Sequence, residues 1–193
     1  MKHWWGRTLK WFRTFHVYLT LVALVLLLFF AVSGFMLNHA EWFEAANPTV
    51  TKETGIVPAS VLAGDRLTVV EYLRSKYHAA GEVTDYQARE DEIAVQFRLP
   101  GRQTDTRITK AGGAIEVTHE TRGLYGVVAD MHRGKDAGVV WKLVIDAMAI
   151  LVVAATVTGF VMWLGLRTRR KAGLLALAAS AVAVAAAIVR AVW

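Results

Sequence analysis

Six histidines carry the most versatile chemistry in this chain, and three of them stand where long apolar runs meet polar sequence. His16 opens the first run and His39 follows it. His132 precedes the second run, in Met131-His132-Arg133-Gly134-Lys135-Asp136. A neutral imidazole is a good ligand for haem iron, and two of them held at one depth on adjacent elements ligate it from both faces. The spacing makes His39 and His132 the candidate pair. His16 and His39 are 23 positions apart, about 34 Å along a helix, and cannot share a site. Arg133 and Lys135 are placed to pair with haem propionates. Asp136, a helical turn beyond His132, is placed to accept the second ring proton. His16 has no evident partner at its depth. A second haem there needs His3, His16 of another copy in a homodimer, or a partner protein. The plainer account of these residues is also physical, because imidazoles are tolerated at membrane interfaces and a basic loop touches lipid headgroups. His78 and His119 read as surface residues. Asp146 lies one turn after Lys142, as an i,i+4 ion pair or as an ionisable group that transfers protons or binds a buried ligand.

Other chemistries find little support. Ser33 and Ser180 lie in apolar stretches with no neighbouring base, and neither Gly-x-Ser-x-Gly nor His-Glu-x-x-His occurs. There is no phosphate loop. The sequence holds no cysteine, which excludes thiolate iron–sulfur clusters, Cys-x-x-Cys-His haem attachment and disulfides.

The elements that must position the histidines are long apolar helices. Hydrophobic residues make up 55% of the chain, and they are concentrated in three uncharged runs, Val17 to Leu37, Ala147 to Leu166 and Ala172 to Val189. The first spans about 30 Å as a helix, the thickness of a hydrocarbon core. In lipid every backbone N–H and C=O must be satisfied within the segment, so all three read as transmembrane helices. The first is longer than a signal-peptide core and lacks a small-x-small cleavage site, which favours an uncleaved anchor. Lys2, Arg7, Lys10 and Arg13 precede it, and Arg167-Thr168-Arg169-Arg170-Lys171 separates the second and third runs. All 16 acidic residues lie between Glu41 and Asp146. The positive-inside rule puts the N-terminus and the 167–171 loop in the cytoplasm, with the middle of the chain and the C-terminus outside. The net charge of +6 therefore reports topology, and no nucleic-acid partner is expected. Trp4, Trp5, Trp11 and Trp163 mark the inner interface, and Trp42, Trp141 and Trp193 the outer one. Small residues at Ala147, Ala155 and Gly159, and at Ala172, Ala176 and Ser180, read as helix–helix contacts.

Residues 40–64 read as a connector broken by Pro and Gly. Asp65 caps a helix to about Ala80, which Gly81 stops. Ile93 to Leu99, Thr104 to Thr109 and Ile115 to Thr118 read as three short antiparallel strands. The expected fold is thus three membrane helices with a small extracytoplasmic α+β domain. Its segments are 1–40 for the basic tail and first helix, 41–130 for the domain, 131–168 for the second helix and 169–193 for the third.

Several stretches carry a resemblance. Arg13-Thr14-Phe15-His16-Val17-Tyr18-Leu19, Phe29-Phe30-Ala31-Val32-Ser33-Gly34 and Leu37-Asn38-His39-Ala40-Glu41-Trp42-Phe43 resemble the first helix of PepSY-associated transmembrane (PepSY-TM-like) proteins. Met131-His132-Arg133-Gly134-Lys135-Asp136, Trp141-Lys142-Leu143-Val144-Ile145-Asp146 and Thr158-Gly159-Phe160-Val161-Met162-Trp163 resemble the second. The middle is similar to a PepSY module. The resemblance implies a protein of the bacterial inner membrane. Larger relatives are di-haem reductases that release iron from ferric siderophores in the periplasm, which implies electron transfer in iron uptake and an oxidoreductase component of the ferric reductase type. Carried over, His39 and His132 are outer ligands of haem b and His16 is an inner one. This chain has fewer helices and histidines than those relatives, so a homodimer, a partner redox protein or membrane quinol is expected to complete the electron path. The alternative is a PepSY module that binds or regulates a protein partner without redox chemistry.

Overall fold

The structure, a computed structural model, describes residues 2–43, 48–166 and 170–193, and the side chains of residues 2–5 lie outside that description. The expectations for Trp4, Trp5, His3, Arg167 and Arg169 therefore fall outside it. Three long helices dominate: α1 (Lys2–Asn38), α5 (Gly138–Gly165) and α6 (Arg170–Val192). Each is long and apolar enough to cross a membrane. Their flanks expose residues such as Val25, Ile150 and Leu175, and α6 buries none of its residues within the chain. Apolar surface on that scale requires lipid, so the chain is a membrane protein in contact with a bilayer.

The chain divides into two compact units. One is Leu28–Asp146; the other joins Met1–Leu27 to Ala147–Trp193. The first unit contains a five-stranded antiparallel sheet of order β1-β5-β4-β3-β2. Its strands are β1 (Thr49–Ile56), β2 (Glu82–Ala88), β3 (Glu92–Leu99), β4 (Arg102–Thr109) and β5 (Ala114–Thr121). A short turn of helix, α2 (Ala59–Leu62), and α3 (Arg66–Tyr77) lie between β1 and β2, and α4 (Gly123–Arg133) follows β5.

Alternation dictates the core. In β3, Ile93, Val95 and Phe97 point to one face, where Ile108, Ile115 and Val117 join them. Val69, Val70, Leu73 and Tyr77 form the matching stripe of α3. Asp65 caps α3, its carboxylate accepting from the Thr68 amide at 2.9 Å. The opposite face of the sheet is uncovered and charged, with Lys52 paired to Glu116 at 3.0 Å and Arg98 to Asp105 at 2.8 Å.

Four expectations are corrected here. The connector at 40–64 contains β1, which pairs with β5 through all eight residues from Thr49↔Thr121 to Ile56↔Ala114. The sheet has five strands, not three, and a strand comes before its helix. The helix ends at Tyr77, and His78 takes a left-handed conformation just beyond it, with φ 52°. His132 precedes α5 and sits within α4, a separate helix that Gly134 closes with φ 66°. Asp136 follows in the turn between α4 and α5, with φ 56°, so it is not a helical turn above His132.

Candidate functional site

Two histidines share one local arrangement. The first is His132, within the Leu28–Asp146 unit. α4 is held by Gly134 at its C-terminus and by Trp141, whose Nε1 donates to the Met131 carbonyl at 2.7 Å. This directs the His132 ring against α1, edge-on to Phe30 at 5.3 Å between ring centres. Its Nδ1 lies 2.6 Å from Ser33 Oγ. Ser33 donates its one hydroxyl proton to the Phe29 carbonyl at 2.6 Å. The oxygen must therefore accept from Nδ1–H, which leaves the lone pair of a neutral imidazole on Nε2. Gly34 makes room for the ring, because a Cβ there would lie 3.3 Å from His132 Cε1.

The second is His16, within the other unit. Its Nδ1 lies 3.0 Å from the Ala155 carbonyl and 3.0 Å from Thr158 Oγ1. A carbonyl only accepts, so Nδ1 again carries the proton and Nε2 the lone pair. Thr158 donates to the Ala154 carbonyl at 2.8 Å. Gly159 makes room for the ring, because a Cβ there would lie 3.1 Å from His16 Cε1. Beside the imidazole runs a groove of about 500 Å³ lined by Leu9, Arg13, Met162 and Trp163. The pairs Ser33-Gly34 and Thr158-Gly159 thus do the same work at two places: a hydroxyl fixes Nδ1 and a missing side chain admits the ring.

His39 has different surroundings. Its ring stacks on Trp42 at 4.0 Å and 17°, contacts Phe35 at 4.6 Å, and has Nδ1 3.8 Å from Glu41. Among the described residues, His39 is thus engaged by Trp42, Phe35 and Glu41, and His132 by Ser33 and Phe30. Arg133 is engaged elsewhere, Nη2 on Asp130 at 3.2 Å and Nε on the Ala129 carbonyl at 3.2 Å. Lys135 donates its backbone N–H to the Asp130 carbonyl at 2.8 Å and leaves its side chain exposed. The His132 Nδ1 that Asp136 was expected to receive goes to Ser33, and Asp146 is exposed on α5.

Three features escape sequence reasoning. Ser33 does have a base beside it, but it is 1% exposed and its proton is already given to a carbonyl. It therefore orients His132 and has no approach for an acyl substrate. Asp130 is 0% exposed and accepts from the Gly101 amide at 2.9 Å, from Arg122 at 2.8 Å and from Arg133 at 3.2 Å. It ties the β3–β4 turn to the helix that carries His132. The only hint was an acid two residues before His132 in an otherwise apolar stretch. His78 and His119 line a common recess of about 220 Å³ with Arg102 and Thr104, and His119 Nδ1 is 3.0 Å from Thr104 Oγ1.

No match to the chain was found among curated proteins or among solved structures. A family model described as PepSY_TM-like matches residues 7–193. That match takes in α1, the sheet, α4 and both remaining membrane helices, and with it both anchored histidines. The chain belongs to the PepSY_TM-like family.

Proposed function

We propose that this protein is a b-type haem electron carrier or reductase component of a bacterial inner membrane, passing electrons to an acceptor on the side of the sheet, such as a ferric siderophore. The observation that supports this reading is the pair of Nδ1-anchored imidazoles, His132 and His16. Metal-ligating histidines characteristically donate their other ring N–H to a fixed oxygen, which sets the tautomer and raises the basicity of the ligating nitrogen. Both rings have that partner, and neither Nε2 makes a hydrogen bond among the described residues. The donor set therefore fits haem iron. Arg13, which lines the same groove as His16, and the exposed Lys135 beyond α4 would pair with the propionates, and His39 is a further candidate ligand at the outer edge. Haem supplies reversible one-electron chemistry; the chain supplies ligands, a low-dielectric surround and the sheet-bearing unit. The N-terminus is cytoplasmic on this reading, and a membrane quinol or a partner redox protein is the electron donor.

A reduced-minus-oxidised absorption spectrum of the purified protein, after haem supply, tests the reading. Paired α and β bands are expected, lost stepwise in His132→Ala and His16→Ala. A protein that binds no haem removes it.

The uncovered sheet face favours a second reading, a module that captures a protein partner without redox chemistry. It holds a shallow basin of about 560 Å³ lined by Lys52, Asp85, Arg89, Asp105, Arg107 and Glu116. On this reading His132→Ala and His16→Ala leave function intact, whereas charge reversal at Arg107 and Asp105 abolishes partner capture.

A further inference from the structure

Each anchored histidine is half of a ligand set. Six-coordinate b-type haem takes an imidazole on each face. In the unit that contains His132, the His39 ring is stacked on Trp42 and packed against Phe35. His78 and His119 belong to the recess of the sheet. In the other unit the one remaining histidine, His3, precedes His16 by 13 positions on the same helix, about 20 Å of rise and out of reach of a shared iron. Both His16 and His132 are nevertheless only half-buried, so each ring is accessible at the surface of the chain.

Membrane topology says where the missing ligands come from. Every copy of a membrane chain inserts with the same orientation. Two copies related by rotation about the membrane normal therefore bring each residue to the depth of its own counterpart. A two-fold interface is isologous, the same patch meeting itself. Residues that complete a site on the two-fold axis must then be the same residue. This chain has the two features such a site needs at each level: a lone pair fixed on Nε2 and a glycine that lets the ring approach a helix closely.

We propose that two copies of this chain form a parallel two-fold dimer that holds two haems, one between the two His132 rings and one between the two His16 rings. The proposal rests on the haem reading above and adds the source of the second axial ligand. It also commits the protein to a stoichiometry. A dimer built this way carries two haems on two chains, an average of one per chain, although each chain offers two ligating histidines.

The test is haem content, mass and ferric EPR on the purified full-length protein in nanodiscs, supplied with haem. The expected result is one haem per chain, a dimeric mass and low-spin bis-imidazole signals. His16→Ala and His132→Ala are each expected to halve the haem content, and added imidazole to restore the lost low-spin signal. A mixed dimer, purified through two different tags with His16→Ala in one copy only, is expected to show one five-coordinate, high-spin haem. Two haems per chain, a monomer with low-spin haem, or a mixed dimer that retains both low-spin signals overturns the pairing while leaving haem binding in place. Absence of any haem removes the reading on which it rests.

Discussion

Ser33 Oγ stands 2.6 Å from His132 Nδ1 although the two residues are 99 positions apart in sequence. The hydroxyl sits in an apolar helix, gives its proton to the Phe29 carbonyl, and so acts toward the imidazole only as an acceptor. Thr158 and the Ala155 carbonyl treat His16 in the same way. On the haem reading, removing these acceptors leaves Nε2 in place but loosens the ring. Ser33→Ala is expected to weaken haem binding by about 10–100-fold, the usual cost of losing the outer partner of a ligating histidine, and Thr158→Val by less, because the Ala155 carbonyl still holds His16 Nδ1. Haem titration followed at the Soret band measures it, and titration curves that overlay the parent protein's would refute the role.

The glycines make a steric version of the same prediction. Gly34 and Gly159 admit rings to within 3.3 and 3.1 Å of where a Cβ would stand. Alanine forces a shift of a few tenths of an ångström, and leucine fills the ring's place. Gly34→Leu is expected to abolish the outer haem signal and Gly159→Leu the inner one, each leaving the other intact. Circular dichroism should show unchanged helix content, which separates loss of the site from loss of the fold.

Asp130 should matter to stability more than any surface acid. It is fully buried, with two arginines and one amide converging on it. Truncating one partner of such a cluster strands the others, at a cost of about 3–5 kcal/mol. Asp130→Ala is expected to lower the melting temperature of the sheet-bearing unit sharply. Asp130→Asn, which keeps two acceptor lone pairs, should lower it less. Melting in detergent, followed in the near-ultraviolet, reads the difference, and equal melting temperatures for Asp130→Ala and the parent would count against the clamp.

The pH dependence of the sheet-bearing unit follows from three groups outside the membrane spans. The Thr68 hydroxyl and amide hold the Asp65 carboxyl below its ordinary value, and Lys52 does the same for Glu116. Such groups contribute stability above their unfolded values, about pH 4, and lose it as pH falls through the folded values. Burial raises the Tyr77 phenol. Its neutral form is the favoured one, so that contribution is complete below about pH 10 and fades as pH rises beyond it. A stability plateau is expected between about pH 5 and pH 9. Asp65→Asn together with Glu116→Gln should flatten the acid limb, and Tyr77→Phe the alkaline one. An acid limb of unchanged slope in the double variant would show that other carboxylates dominate.

What the sequence made legible depended on whether the signal is local. The membrane runs announce themselves because length without charge is a one-dimensional property, and each lies within a long helix. Ile93, Val95 and Phe97 gave away β3 by alternation. β1 was unreadable because Thr49–Ile56 buries no face; its partner β5 holds it through the backbone. β2 hid because a bulge between Val83 and Asp85 breaks its period. His16 and His132 were visible as candidates from their places at the ends of apolar runs. Their acceptors were not, since Ser33 and Thr158 look like ordinary small residues until a distant chain segment is laid against them.

The late arrival of the neighbour of β1 also bears on how the protein is made. Thr121, the partner of Thr49, is synthesised 72 residues later. At about 5–20 residues per second, β1 therefore waits roughly 4–14 seconds for its strand to exist. It waits beside a membrane, already tethered by α1, with both backbone edges open. A hydrophobic strand in that position would invite mispairing. Thr49-Val50-Thr51-Lys52-Glu53-Thr54 is instead polar on both faces, a composition suited to a delay during synthesis that the finished sheet no longer reveals.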